Sequence, residues 1–323
     1  MALYDVPAPA KINLFLHVVG QRDDGYHLLQ TAFRFIDLCD TLHFDRRSDG
    51  QIVCEGSPPG LAHEDDLVVR AARALQSATG TSCGAQIRYQ KTIPSGAGLG
   101  GGSSDAASTL LALNRLWQTG LDRRALMELA LPLGADVPVF IYGQPAFAQG
   151  VGERLSPLSL PPCSYVVIQP SQPVPTAGVF SAPELTRNTP SIIMSVFVDW
   201  QRVHAQEIGA LAAAAGGVVH NPAEGATSNP YFGRNDLEPV VCSRYARVRE
   251  TALWLKRQGI HARMTGSGGC FFIECATLEQ ARLCQQEIIV KMPGFENGQT
   301  AMVENTWACS GLFDHPLRHW IRS

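Results

Sequence analysis

From Ile93 to Ser104 the chain reads IPSGAGLGGGSS, with glycine at positions 96, 98, 100, 101 and 102. Backbone this poor in side chains can turn sharply and approach a ligand closely, because no Cβ stands in the way. A helical apolar pattern follows from Ser104 or Asp105, with Ala106, Leu110, Leu113 and Trp117 on one face and Gly120 placed to end it. The unpaired N–H groups of the first turn of such a helix, and its dipole, point back into the loop. Loop and helix end together predict an anion site, and phosphate is the anion that suits it.

Other readings of this stretch are weighed by its letters. A P-loop requires a lysine just before the Ser/Thr, and glycines precede Ser103-Ser104 here. GAGLGG matches G-x-G-x-x-G, but a dinucleotide fold would place it after a continuously apolar strand. Ala85, Ile87 and Tyr89 instead alternate with Gln86, Arg88 and Gln90, and Pro94 intervenes. A Gly/Ser linker would not run into a strongly patterned helix.

Five more places have side chains capable of chemistry. Lys11 and Asn13 share one face of an alternating segment, where a lysine is otherwise a snorkelling surface residue. Tyr26 and His27 follow an Asp-Gly turn and offer a flat ring beside a two-sided hydrogen-bonding group, suited to a nucleobase as well as to plain packing. Lys91 precedes the glycine loop. Asp136 stands just before Val137-Pro138, where an aspartate is commonly a helix N-cap. Gly266, Ser267, Gly268 and Gly269 read either as a tight turn or as a second backbone-lined anion loop.

PSGAGLGGGSSDAA resembles the phosphate-binding signature of the GHMP kinases, the group named after galactokinase, homoserine kinase, mevalonate kinase and phosphomevalonate kinase. PAKINLFLHVVGQRDDGYHLLQT, LGADVPVF and TGSGGCFF extend the likeness over most of the chain. Within that family it is most similar to the branch that phosphorylates a cytidine diphosphate-linked alcohol in the non-mevalonate isoprenoid route. The resemblance implies an α+β fold in two domains, the first a ribosomal-protein-S5-like α/β domain and the second ferredoxin-like. It implies ATP and Mg²⁺, with Asp136 as the catalytic carboxylate and Lys11 beside it. Lys91, Pro94, Gly96, Gly98, Leu99, Gly100, Gly101, Gly102, Ser103 and Ser104 are then expected at the ATP, with Ser104 a candidate contact for the metal. Asn13, Tyr26, His27, Thr176, Phe180, Gly266, Ser267 and Gly268 are expected at the substrate, with Phe180 facing Tyr26 across a cytosine. The family's usual asparagine near the adenine is replaced here by Asp66, which reads instead as an N-cap. Two rivals stand beside this reading: a homoserine- or mevalonate-type kinase, and an inactive nucleotide-binding regulator.

The elements that must position these residues follow from periodicity. Ala10 to Val18 alternate and predict a half-buried strand carrying Lys11 and Asn13, and a hairpin turn at Asp24-Gly25 leads into a second strand over Leu29–Phe35. Helices are expected over Asp65–Leu75 and from Asp122 to about Ala130. A broken strand is expected over Ala146–Leu155, and a continuous apolar strand over Tyr165–Ile168. A helical stripe runs from Val241 through Tyr245, Val248, Ala252 and Leu255 to Gly259, and Thr277 with Gln280 forms a capping box. Pro157, Pro161 and Pro162 mark a boundary between a nucleotide-binding domain at 1–158 and a second domain at 159–323. The second holds a long insertion around 187–233 with no evident chemistry.

A chain of 323 residues, 45% hydrophobic and 17% charged, buries a sizeable core, and its size favours two domains. With net charge −3 and no Lys/Arg block, neither nucleic acid nor an acidic membrane surface is expected as a partner. The nine cysteines are scattered without a C-x-x-C pair and read as thiols of a reducing cytoplasm. MALYDVPAPAK lacks the pattern of a signal peptide, and the Ala/Gly-rich tract Ile208–Val219 is too short to cross a bilayer. A cytoplasmic monomer or weak homodimer is the expectation.

Overall fold

The computed structural model describes residues 1–57, 60–215, 233–292 and 302–321, with the side chains of 211–215 excepted. Strands β1 (Ala2–Gln21) and β2 (His27–Arg47) form a long antiparallel hairpin that turns at Gly25, where φ is +86°. Lys11 pairs across it with Phe35, and Asn13 with Phe33. The expected half-buried strand is in fact buried on both faces, with Ile12 and Leu14 at 0% exposure and Lys11 and Asn13 at 2% and 3%. Ile12 and Leu14 belong to a core shared with Tyr165, Phe197 and Phe272 from the second half of the chain. Asn13 is met from the other side by Thr265 and Lys11 by the glycine loop, so alternation here separates a dry face from a polar but enclosed one.

Strand β3 (Ile52–Glu55), helix α1 (Leu67–Thr79) and strand β4 (Gly84–Gln90) follow, β4 lying parallel to β3 and antiparallel to β2. Asp66 is the N-cap of α1, accepting from Val68 N at 2.9 Å and from the Tyr89 hydroxyl at 2.7 Å, as expected of a capping aspartate. Helix α2 (Gly101–Trp117) starts three residues before Ser104 and is buried on nearly every side. It packs between β1 and β2 on one side and α1, α3 (Arg123–Ala130) and α4 (Val137–Tyr142) on the others. It ends at Gln118 (φ +56°) rather than at Gly120, because Asn114 folds back: its Oδ1 accepts from the Thr119 hydroxyl and from Leu121 N.

Strands β5 (Ala146–Gly150) and β6 (Arg154–Pro157) extend the sheet beyond β2. Then come β7 (Ser164–Pro170), α5 (Thr176–Phe180) and α6 (Met194–Ala215). The predicted stripe from Val241 to Leu255 is two helices, α7 (Glu238–Arg244) and α8 (Ala246–Arg257). Tyr245 between them is extended (φ −115°, ψ 102°), and the Gln172 side chain, from outside the segment, accepts from Arg247 N in place of a helical carbonyl. Strands β8 (Arg263–Met264) and β9 (Phe271–Cys275), helix α9 (Leu278–Lys291) and strand β10 (Val303–Leu312) follow, and a 3-10 turn at Arg318–Trp320 comes after β10. Thr277 caps α9 by accepting from Gln280 N.

The sheet is continuous in the order β3-β4-β2-β10-β7-β9-β8, because β10 pairs with β7 along its length and with β2 at Gly311 and Leu312. The residues after it return to the first core, where Leu317 and Ile321 are buried and His315 packs edge-on to Phe35. Of the insertion expected at 187–233, residues 216–232 lie outside the described residues. Its helix α6 covers the sheet, setting Phe197 5.0 Å from Phe15 and His204 2.7 Å from the buried Glu274. Burial alone would raise the Glu274 carboxyl, yet Arg263 and His204 hold it down at about 2. The nine cysteines are free and six of them are buried. Among the described residues no helix is long and apolar enough to cross a membrane.

Candidate active site

The loop ahead of α2 is shaped by what holds its carbonyls. Gly96 O accepts from Val174 N, Ala97 O from Cys270 N, Gly98 O from Lys11 Nζ, and Leu99 O from Lys11 N. Four successive acceptors are thereby engaged by protein, which removes lone pairs that would repel an anion. Ser104 N is the first α2 amide to bond within the helix, to Gly100 O at 2.9 Å. The amides of Gly101, Gly102 and Ser103 have no intrahelical acceptor, and all three residues line a cavity of about 970 Å³. A helix end with free amides at a cavity wall is an anion site by construction.

Two glycines make the loop possible. Gly98 has φ +76°, and a Cβ there would lie 2.1 Å from Thr265 O. Gly266 has φ +57°, and its Cβ would lie 2.6 Å from Gly98 O. The two glycine-rich loops therefore touch backbone to backbone, which no larger residue permits.

Beside them stands an ion pair. Asp136 is the N-cap residue of α4, but its side chain accepts no capping bond. Its Oδ2 lies 3.2 Å from Lys11 Nζ instead. Lys11 spends its other donors on Asn13 Oδ1 at 2.7 Å and Gly98 O at 3.1 Å, so its ammonium is fixed in three directions. Asn13 Nδ2 donates to Thr31 Oγ1, which donates to Phe15 O, and this chain of bonds fixes the asparagine in turn. The lysine is buried, whereas the carboxylate is 36% exposed at the cavity. An aspartate with a free lone pair, steered by a buried cation next to an anion site, can accept a proton from an alcohol poised to attack a phosphorus.

The cavity brings together Lys11, Asn13, Tyr26, His27, Lys91, Pro94, Gly96, Gly98, Gly100, Gly101, Gly102, Ser103, Asp136, Thr176, Phe180, Gly266 and Ser267. Thr176 and Ser267 share a hydrogen bond of 2.6 Å. Phe180 packs on His27, with ring centroids 5.3 Å apart, while Tyr26 is 63% exposed. Leu99, Ser104 and Gly268 are not in the lining. Leu99 is a core residue, and Gly268 bonds back to Thr265 O. Ser104, expected near a metal, is fully buried and its Oγ donates to Pro9 O at 2.7 Å. The earlier start of α2 turns this side chain onto β1, whereas Ser103 lies at the cavity.

Lys91 is committed more heavily than a lone ligand lysine. Its ammonium pairs with Asp40 and, at 2.5 Å, with Asp105, both buried. Burial pulls the lysine's pKa down, but the two carboxylates more than offset this and it ends raised. The Asp105 carboxyl is pushed up, by burial first and by its neighbour Asp40, against the pull of Lys91. Asp40 Oδ1 also accepts from Thr92 N and Ile93 N, fastening the segment between β4 and the glycine loop. Replacing Lys91 with Met leaves two buried acids without a counter-charge and is expected to lower stability by about 3 kcal/mol, read by urea unfolding without nucleotide. Unchanged stability would mean that this ammonium serves only a ligand.

Three participants carried no sequence signal. Thr265 Oγ1 accepts from Asn13 N, across 252 positions. Asp40 sits within an alternating strand. Arg187, seven residues past Phe180, donates to His27 and lines the cavity. Among the described residues there is no group of three His, Cys, Asp or Glu side chains that could cage a metal ion.

Comparisons with known proteins identify the family. The family model for the GHMP kinase N-terminal domain matches residues 66–144, and that for the C-terminal domain matches 207–292. The 4-diphosphocytidyl-2-C-methyl-D-erythritol kinase of Bordetella parapertussis is 54% identical, over 100% of both chains. That of Cupriavidus taiwanensis is 51% identical over 98% of this chain and 95% of its own. The chain belongs to the 4-diphosphocytidyl-2-C-methyl-D-erythritol kinase branch of the GHMP kinase family. A crystal structure of 4-(cytidine 5′-diphospho)-2C-methyl-D-erythritol kinase superimposes with a TM-score of 0.72 at 33% identity, covering 96% of this chain and 99% of that one. Homoserine kinase from Cytophaga hutchinsonii, 14% identical with a TM-score of 0.62 over 97% and 95% of the two chains, shares the fold. The α+β architecture expected from the sequence is thus the family's two-domain one.

Proposed function

We propose that this chain transfers the γ-phosphoryl group of ATP to the 2-hydroxyl of 4-diphosphocytidyl-2-C-methyl-D-erythritol, with residues 1–158 as the nucleotide-binding domain and 159–323 as the second. The observation that carries the reading is the Lys11–Asp136 pair, set in one cavity with the free amides of α2 and with Tyr26, His27 and Phe180. Phosphoryl transfer needs little covalent chemistry from protein, so alignment and neutralisation of charge dominate. The amides of Gly101, Gly102 and Ser103 hold the phosphates, Asp136 receives the proton of the 2-hydroxyl, and Lys11 orients that carboxylate and offsets charge at the attacking oxygen. A carboxylate is a weak base towards an alcohol, so the proton moves late and orientation matters most. Ser103 and Asp136 are cavity side chains that would be available to a magnesium ion bound with the nucleotide, which would supply neutralisation of phosphate charge; among the described residues no group of three His, Cys, Asp or Glu side chains could cage it. Tyr26, His27 and Phe180 receive the cytosine. The protein works in the cytoplasm as a monomer or weak homodimer, without nucleic acid or membrane.

The test is ADP release on mixing protein, ATP, Mg²⁺ and 4-diphosphocytidyl-2-C-methyl-D-erythritol, with homoserine and mevalonate as alternative acceptors. Turnover is expected with the cytidyl compound alone. Release of ADP with either small alcohol in its place would move the chain to a sister activity, and none with any acceptor would make it a regulator.

A further inference from the structure

Arg187 lies in the segment that follows α5 and reaches back to the hairpin turn of β1 and β2. Its Nε donates to His27 Nε2 at 3.0 Å, Nη1 to Leu185 O at 3.0 Å, and Nη2 to Ala182 O at 2.8 Å and Phe180 O at 3.3 Å. Four of a guanidinium's five N–H groups are therefore taken by protein acceptors, so this cation is a poor choice as a phosphate ligand despite lining the cavity. Its bond to His27 has a chemical consequence. A guanidinium can only donate, so Nε2 of His27 must present a lone pair, and the proton of the neutral ring must sit on Nδ1. Phe180, whose carbonyl the same guanidinium holds, packs on the imidazole at 5.3 Å and helps fix the ring plane. Burial, and then the Arg187 charge, push the His27 pKa below its ordinary value, in keeping with a ring that stays neutral.

We propose that Arg187 is a positioning residue for base selection: it locks His27 in the Nδ1–H tautomer, so the ring offers the base a donor and only a donor. This rests on the reading of the cavity as a cytidine site. Cytosine carries an acceptor at N3 and satisfies such a donor, whereas uracil carries N3–H and opposes it. Discrimination then comes from the mismatch imposed on uracil as much as from the bond made to cytosine.

The direct test uses the whole protein labelled with ¹⁵N-histidine, the His27 signals being assigned by their loss in His27→Gln. Wild type should show the Nδ1–H tautomer, and Arg187→Met should shift the ring towards the Nε2–H form. In parallel, CMP and UMP are titrated against both proteins, with an ATP analogue as a check that the fold and the phosphate loop survive. CMP is expected to bind wild type about ten- to a hundred-fold more tightly than UMP, and this ratio should fall towards one in Arg187→Met. An Nε2–H ring in wild type overturns the inference without any variant. So does a CMP/UMP ratio unchanged by Arg187→Met. Failure of wild type to bind CMP at all would remove the cytidine reading, and this inference with it.

Discussion

Asp136→Asn is expected to reduce kcat by about two to four orders of magnitude while an ATP analogue binds with nearly unchanged affinity. The amide is isosteric and its oxygen can still accept from Lys11, so the 3.2 Å contact and the start of α4 should survive. What is lost is the negative charge and the site for the alcohol's proton, both of which matter as the new P–O bond forms. The α2 amides proposed to hold the phosphates belong to another element, which is why nucleotide binding should be spared. Asparagine at 136 costs no capping bond but leaves the buried Lys11 ammonium with neutral acceptors alone, so some loss of thermal stability should accompany the loss of turnover. Wild-type turnover in this variant would remove Asp136 from the mechanism and leave the cavity a nucleotide site without an assigned base.

The second large effect is expected at Gly98. Gly98→Ala places a Cβ 2.1 Å from the Thr265 carbonyl, in a left-handed conformation (φ +76°) that costs an L-residue roughly 1–2 kcal/mol before any clash is relieved. Backbone meets backbone here, so no side chain can rotate away and the loops must separate. That movement disturbs Gly98 O, which bonds Lys11 Nζ, and Thr265 Oγ1, which bonds Asn13 N. Stability should fall by about 2–4 kcal/mol, and ATP-analogue affinity should fall at least about tenfold, because the two loops and the lysine are one assembly. Gly102→Ala is the matched control: its Cβ would meet only Leu67 Cδ1, at an ordinary 3.5 Å, so the fold should tolerate it. Urea unfolding of the pair decides the matter, and equal stability loss in the two variants would refute the close-contact account; nucleotide titration is read for Gly98→Ala against wild type, because Gly102 itself lines the cavity.

What the sequence disclosed and what it concealed divide along a physical line. The glycine loop was legible because its need for bare backbone is written in one continuous stretch, and the helix behind it because apolar spacing is local. Lys11 and Asp136 were recognisable only as candidates: each has a common bland role, and their partnership spans 125 positions. Resemblance to a kinase family raised both, and the geometry then showed the aspartate forgoing its cap for the lysine. Local pattern also misled. Alternation around Lys11 predicted a solvated face, but the covering residues come from far along the chain. The polar run Gly101-Gly102-Ser103 hid the first turn of α2, and Ser104, placed at the nucleotide by the resemblance, is turned by that earlier start onto β1. Arg187, Asp40 and Thr265 had no signature, since what matters in each is the company it keeps in three dimensions.

Strand β10 pairs with β2 across 275 positions and sits in the middle of the sheet, and the residues after it close the first core. The hairpin of β1 and β2 can form from near neighbours and α2 can pack on it, but without β10 that stretch of β2 lacks its partner and the hollow filled by Leu317 and Ile321 stays open. The half that carries the glycine loop therefore depends for its packing on residues about two hundred positions away, and replacing Leu317 and Ile321 with Ala should loosen it.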